Sequence, residues 1–204
     1  TSSPTFTIFA NRELPKTYVR YLERSLQEAG DKVPESDREA VQSAIQALKG
    51  RHLTLYGDGL QIRDWLYVGD HCRALEKVLL EGRTGETYNI GGQAESTNLE
   101  LVRLLARLVD ESFAGDPALL RRFPRCVSGH PGGTAALITH IADRPGHDRR
   151  YAISDGKMER ELRLKPPQSL ESGLRSTVAW YLEHEDWWRP HKDATEAKYA
   201  EKGQ

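Results

Sequence analysis

Residues 56–71 read Tyr56-Gly-Asp-Gly-Leu-Gln-Ile-Arg-Asp-Trp-Leu-Tyr-Val-Gly-Asp-His71, and this stretch decides the fold class. Its glycines predict a tight turn after a strand at residues 53–56, because glycine adopts turn conformations without steric cost. Residues 65–68 predict a second short strand, and a helix is predicted from about Asp70 to Leu80. A chain that alternates short strands with helices is expected to form an α/β or α+β layered fold.

The alternation continues on both sides of this stretch. Thr97 and Glu100 have the spacing of a capping box, which predicts a helix start, and Asp155 is expected to cap a short helix that ends at Leu162. The remaining predicted elements are strands at residues 5–9, 87–90 and 137–141 and helices at residues 16–29, 37–48, 98–109 and 169–182.

Residues 112–136 break this regularity. They hold four glycines and three prolines. Such a composition favours a loop at the surface, so we predict a surface insertion here.

Composition excludes several classes of function. The 204 residues carry a formal net charge of -1, so nucleic-acid binding is not expected. No apolar run approaches the ~20 residues of a membrane span and no signal-like segment opens the sequence, so no membrane association is expected. Cys72 and Cys126 lack the spacing of a metal site, as do the histidines, and two such thiols are typical of the reducing cytoplasm.

Arginines provide the main candidates for a binding site. Arg63 lies just after the tight turn, where it either pairs with Asp64 at the surface or directs its planar donors at a phosphate. Arg144 and His147 lie in the segment 143–150, which is either a solvated charged loop or a loop given a fixed shape by its Pro-Gly pair for binding. Two separated arginine sites, Arg63 and Arg144, would fit the two charges of a diphosphate.

Two further residues have two readings each. Asn98 stands at a predicted helix start, where it either belongs to the cap or helps to attract an anion. Tyr56 ends a predicted strand, where it either packs in the core or stacks on a base.

Motifs for dinucleotide chemistry are missing from the sequence. No stretch matches G-x-G-x-x-G after a first strand, and no tyrosine is followed four residues later by lysine. We therefore assign no catalytic residue, no cofactor-binding residue and no metal ligand.

Several motifs, taken together and in order, resemble one enzyme family. Residues 46–71, 85–92, 97–100, 142–153 and 171–182 are similar to consecutive motifs of the dTDP-glucose 4,6-dehydratases. This resemblance covers roughly residues 40–190. It implies an α/β fold that corresponds to the C-terminal, substrate-binding portion of an extended short-chain dehydrogenase/reductase, with the N-terminal Rossmann half largely absent.

The resemblance also implies a function. The family dehydrates dTDP-glucose to dTDP-4-keto-6-deoxyglucose with a bound NAD that is reduced and reoxidised, and it commonly forms homodimers. By resemblance, Arg63 and Arg144 contact the diphosphate, Asn98 and His147 contact phosphate or sugar, and Tyr56 lies near the thymine. The family's NAD-binding glycines and catalytic Tyr-x-x-x-Lys would precede the matched segment. We therefore expect dTDP-sugar binding, but neither NAD binding nor turnover by this chain alone.

The expected organisation follows from the extent of the match. Residues 1–38 form an unmatched segment, residues 39–190 a nucleotide-sugar-binding domain with the insertion at 112–136, and residues 191–204 a flexible polar tail. The partner would be a Rossmann half on another segment or chain, or another protein. The alternative function is that of a non-catalytic, enzyme-derived structural or interaction subunit of a larger assembly.

Overall fold

Strands and helices alternate through most of the chain in a computed structural model, which describes residues 8–9, 43–190 and 192. The predicted helix 16–29, the start of the helix at 37–48 and nearly all of the segments 1–38 and 191–204 lie outside the described residues. The strands are β1 Ile8–Phe9, β2 Leu53–Tyr56, β3 Ile62–Asp64, β4 Thr87–Tyr88, β5 Glu95–Thr97, β6 Ile138–Ile141 and β7 Arg150–Tyr151. The helices are α1 (its described part, residues 43–48), α2 Val68–Glu81, α3 Asn98–Gly115, α4 Leu119–Arg122, α5 Gly156–Leu162, α6 Leu170–Glu183 and α7 (residues 185–190), with a 3-10 turn at Thr134–Leu137. The α/β prediction is confirmed.

Over the residues that the structure describes, the strands form three small sheets. β2 pairs in parallel with β6, and β1 pairs antiparallel with β4. β3 lies at the centre of the third sheet, antiparallel to β5 and parallel to β7. This arrangement places Arg63 opposite Ser96 on one side and Tyr151 on the other. Residues 63 and 151 are therefore neighbours although 88 positions separate them in the sequence.

The main apolar core lies between α3 and α6 and extends to α1 and β2. α3 begins at the predicted capping box: Glu100 N donates to Thr97 Oγ1 over 3.1 Å, and Thr97 N donates to a Glu100 carboxylate oxygen over 2.9 Å. A second, smaller core joins α2, β4 and α5 around Tyr88, whose side chain is fully buried.

Residues 112–136 contribute to the core rather than lying only at the surface. α3 continues six residues beyond its predicted end at Val109, to Gly115. Apolar residues of the segment then pack into the main core, and they are Phe113, Leu119, Phe123 and Cys126. Burial of these side chains explains why a segment rich in glycine and proline has a defined path.

Two local predictions were wrong. The predicted strand at residues 65–68 lies at Ile62–Asp64 instead, because the pairing partners in β5 and β7 face those residues. Asp155 does precede α5 but gives it no side-chain cap; its carboxylate accepts from Gln93 Nε2 over 2.9 Å.

Within the described part of the chain, no helix is long and apolar enough to cross a membrane. Over the same residues, no three metal-binding side chains gather into a group that could hold an ion.

Candidate functional site

Arg63 is a buried arginine whose guanidinium is fixed on three sides. It lies in the central strand β3 and is 7% exposed. Its Nη1 donates to Ile62 O over 2.8 Å, and its Nη2 donates to Asp148 O over 3.0 Å. The guanidinium carbon also lies 4.4 Å from the centre of the Tyr151 ring, within the range of a cation–π contact. The predicted alternative, a surface pair with Asp64, is not formed: that carboxylate accepts from backbone amides in the 92–94 turn.

Arg144 reaches the same place from the 143–150 segment. Its guanidinium carbon lies 4.7 Å from the centre of the Tyr56 ring, at the end of β2. Its Nη2 lies 3.0 Å from His147 Nε2, and Arg63 Nη2 lies 3.1 Å from that same nitrogen. The two guanidinium groups therefore meet at one imidazole, and each is stacked on a tyrosine.

The contacts of His147 define its protonation state. Guanidinium groups only donate hydrogen bonds, so a nitrogen that contacts two of them acts as an acceptor. The other ring nitrogen, Nδ1, then carries the proton and donates it to Asp143 Oδ1 over 2.7 Å. His147 is thus assigned the Nδ1–H tautomer, with its side chain 5% exposed between two arginines and a carboxylate.

Asp143 holds the imidazole on the side opposite the two arginines. Its second oxygen, Oδ2, accepts from the buried Gln61 Nε2 over 2.9 Å. The hydrogen bond from His147, and further bonds from the Arg144 backbone and from Gln61, hold the pKa of the Asp143 carboxyl below its ordinary value. Gly57 leaves room for the carboxylate: its φ is +58°, and a Cβ there would lie 2.8 Å from Asp143 Oδ2.

Asn98 lies beside this group, on the first turn of α3. Its backbone N donates to Gln61 O over 3.0 Å, and Leu99 N donates to Gly59 O over 2.9 Å. With Glu100 N bound to the Thr97 hydroxyl, the first three amides of α3 are all used inside the protein. The side chain of Asn98 is buried, so its predicted contact with phosphate or sugar remains a prediction.

The structure thus brings together four of the five predicted residues, namely Tyr56, Arg63, Arg144 and His147, and places Asn98 next to them. Sequence reasoning missed Asp143, Gln61 and Tyr151. Asp143 precedes His147 by four residues in a loop with a Pro-Gly pair, which was a usable signal. Gln61 gave no signal in the sequence, because its partner Asp143 lies 82 positions away.

Comparisons with known proteins agree with the motifs. A family model described as GDP-mannose 4,6 dehydratase matches residues 18–177. The chain is 47% identical over 145 residues to dTDP-glucose 4,6-dehydratase of Neisseria meningitidis, which covers 71% of this chain and 38% of that protein. The chain is 50% identical over 143 residues to the Salmonella typhimurium enzyme of the same name, which covers 70% of this chain and 36% of that enzyme.

Solved structures give the same picture. The dTDP-glucose 4,6-dehydratase of Bacillus anthracis, in complex with NAD, matches with a TM-score of 0.58 and 42% identity over 73% of this chain and 40% of that one. The Streptomyces venezuelae enzyme of that name, also with NAD bound, matches with a TM-score of 0.56 and 39% identity over 73% and 39%. The chain spans about two fifths of the length of these relatives. The resemblance to the dTDP-glucose 4,6-dehydratases is confirmed, and the chain belongs to the GDP-mannose 4,6 dehydratase family.

Proposed function

We propose that the chain supplies the sugar-nucleotide-binding part of a dTDP-glucose 4,6-dehydratase and that Arg63 and Arg144 bind the diphosphate of a dTDP-sugar. The observation that carries the proposal is the meeting of both guanidinium groups at His147 Nε2. Guanidinium groups directed to opposite sides of the molecule would have argued against a shared diphosphate site.

Electrostatics favour an anion at this point. Two positive guanidinium groups converge on one imidazole, and the nearby carboxylate of Asp143 is engaged by His147 and Gln61. Contacts from guanidinium to phosphate join opposite charges and are frequently bidentate. Each guanidinium carries five N–H donors, so a diphosphate can accept hydrogen bonds from both arginines while their contacts with Nε2 remain.

Preorganisation favours the same assignment. Each guanidinium is supported by a tyrosine ring, and Arg63 is also held by two backbone carbonyls. Arginine side chains that are already ordered lose little conformational entropy when a ligand arrives. Tyr56 near the thymine and Asn98 near phosphate or sugar complete the proposed site. The ring of Tyr56 already contacts Arg144, so we assign it a supporting role there as well.

NAD does not fit the described residues. The glycine turn at residues 57–59 leads into strand β3, not into a helix, and the first amides of α3 are occupied within the protein. Neither feature provides the glycine-rich turn before a helix that holds a dinucleotide pyrophosphate. We infer that NAD, the hydride carrier of the family reaction, is held elsewhere in a complete enzyme and that this chain alone has no dehydratase turnover.

The outer face of α2 supports a protein partner. Val68, Cys72 and Leu79 are exposed at helical spacing, one strip of a helix whose other side holds the buried Ala74 and Val78. An exposed apolar strip is typical of an interaction surface. We propose that this strip packs against an NAD-binding Rossmann half and that the complete enzyme forms a homodimer. The alternative is that the strip packs against another protein within a structural assembly.

Calorimetric titration of the chain with dTDP tests the binding proposal. We expect weak, saturable binding to dTDP and none to thymidine, which lacks the diphosphate. Titration with NAD should give no heat, and incubation of dTDP-glucose with NAD and the chain should give no 4-keto sugar. Absence of heat from dTDP at millimolar concentration, with the chain folded, rejects the binding proposal.

A further inference from the structure

A continuous line of hydrogen bonds runs from the interior to the arginine pair. Gln61 Nε2 donates to Asp143 Oδ2 over 2.9 Å, and Asp143 Oδ1 accepts from His147 Nδ1 over 2.7 Å. On the far side of the imidazole, Nε2 lies 3.0 Å and 3.1 Å from the two guanidinium groups. Gln61 and Asp143 bond neither guanidinium group. Apart from the backbone hydrogen bond from Arg144 N to Asp143 Oδ1, their link to the arginine pair runs through His147.

The direction of each hydrogen bond in this line is fixed by the carboxylate. Asp143 can only accept, so it draws the ring proton to Nδ1 and leaves a lone pair on Nε2. In the other tautomer, an Nε2–H group would face two guanidinium donors, and neither arginine could keep its contact. The carboxylate therefore determines whether the imidazole can hold both guanidinium groups.

The side chain of Gln61 is hard to explain by stability alone. It is 1% exposed, and its Oε1 atom is buried without a hydrogen-bond partner. A buried polar atom left unsatisfied destabilises the fold. The carboxylate fixes the amide orientation, because the opposite one would set two acceptors against each other. Among the described residues, the one hydrogen bond of the Gln61 side chain goes to Asp143 Oδ2.

From this geometry we propose that Asp143 and Gln61 are positioning residues, which hold His147 in its Nδ1–H form so that Nε2 keeps Arg63 and Arg144 together. This inference rests on the proposed diphosphate site but makes a separate claim about the imidazole. It assigns positioning roles to two residues that bond neither guanidinium group.

The first measurement reads the tautomer without any ligand. The whole chain is labelled with ¹⁵N-histidine, and the His147 ring signals are identified among those of seven histidines by their loss in a His147→Asn variant. We expect Nδ1–H signals in the wild type. Asp143→Ala should move the ring toward the Nε2–H form, whereas Asp143→Asn, which keeps an oxygen acceptor, should retain Nδ1–H.

The second measurement reads dTDP affinity in the same variants. Asp143→Ala should weaken binding about tenfold, as expected when a hydrogen bond to a charged group no longer orients a binding residue. Asp143→Asn should recover most of that loss, and Gln61→Met should weaken binding less than Asp143→Ala does. Asp58→Ala is the matched control, because it removes another exposed carboxylate that bonds an arginine of the same segment, Arg149, and it should change neither measurement.

The two measurements separate the two proposals. An unchanged tautomer in Asp143→Ala, or a changed tautomer with unchanged dTDP affinity, overturns the positioning role. A wild-type chain that binds no dTDP while its tautomer responds to Asp143→Ala overturns the diphosphate site and leaves only the control of His147 by Asp143. The Asp143 side chain is 42% exposed, so its variants are expected to fold, and the histidine spectrum itself reports the fold.

Discussion

Replacing Arg63 by lysine keeps the positive charge and removes the planar fork. In the structure the guanidinium spans Ile62 O on one side and Asp148 O on the other while it lies over the Tyr151 ring. A lysine ammonium is a compact donor at the end of a flexible stem. It cannot make both carbonyl contacts, stack on the ring and face the imidazole at the same time.

The expected loss follows from these contacts. One hydrogen bond from a charged donor is worth about 1.5–3 kcal/mol, and a cation–π contact at a partly exposed ring adds about 0.5–1 kcal/mol. Because a lysine at this position would restore part of the lost hydrogen bonding, we expect Arg63→Lys to lower the free energy of unfolding by about 2 kcal/mol. Loss of one directed phosphate contact should weaken dTDP binding about tenfold.

Urea unfolding measures the first quantity and calorimetry the second. Arg149→Lys is the control, because Arg149 lies in the same segment but its exposed side chain bonds the exposed Asp58. We expect it to shift the free energy of unfolding by less than about 0.5 kcal/mol and to leave dTDP binding unchanged. Equal effects of the two substitutions would refute the argument that burial and planar geometry, not charge alone, make Arg63 the binding arginine.

Other expectations concern stability. Leu105→Ala, in the core between α3 and α6, should lower the free energy of unfolding by about 3 kcal/mol and the melting temperature by about 6–12 °C. Leu120→Ala, at an exposed position, should change the free energy of unfolding by less than about 0.5 kcal/mol. Similar losses in the two variants would contradict the core assignment. Tyr88→Phe removes a buried hydroxyl that donates to Glu161 over 2.9 Å. Urea unfolding should show a free energy of unfolding lower by about 1–2 kcal/mol, and an unchanged value would show that this hydrogen bond does not stabilise the fold. Hydrogen bonds from two arginines hold the pKa of Glu171 below its ordinary 4.5, so its ion pairs stabilise the fold above that pH and the gain disappears as pH falls through the lowered pKa. Glu171→Gln should therefore be less stable than the wild type at neutral pH and match it in strong acid, and a constant difference in urea midpoint would contradict this.

Elements with local signals could be predicted from the sequence. The capping box at Thr97 fixed the start of α3, because both of its bonds join residues three apart. The strand at residues 62–64 was misplaced for the opposite reason. Its partners lie in β5 and β7, and pairing with them, rather than the apolar character of residues 65–68, determines which residues are extended. Burial in the core likewise ordered the segment 112–136, although its glycines and prolines suggested a surface loop.

The candidate site shows the same division. Arg63, Arg144 and His147 were found because arginine and histidine next to turns are chemically conspicuous. Their convergence on one nitrogen depends on the parallel pairing of β3 with β7, which a single sequence does not reveal.

The location of the anion site follows from which donors remain available. A helix start and an arginine pair both attract anions, and here they lie side by side. The first three amides of α3 already donate to Gln61 O, Gly59 O and the Thr97 hydroxyl, so this helix start has no amide left for a phosphate until its fourth residue. Each guanidinium carries five N–H donors, so the arginines can bind a charged oxygen while they keep their contacts with Nε2. The diphosphate should therefore lie at the arginines, and any contribution of Asn98 must come from its side chain, which is only 4% exposed.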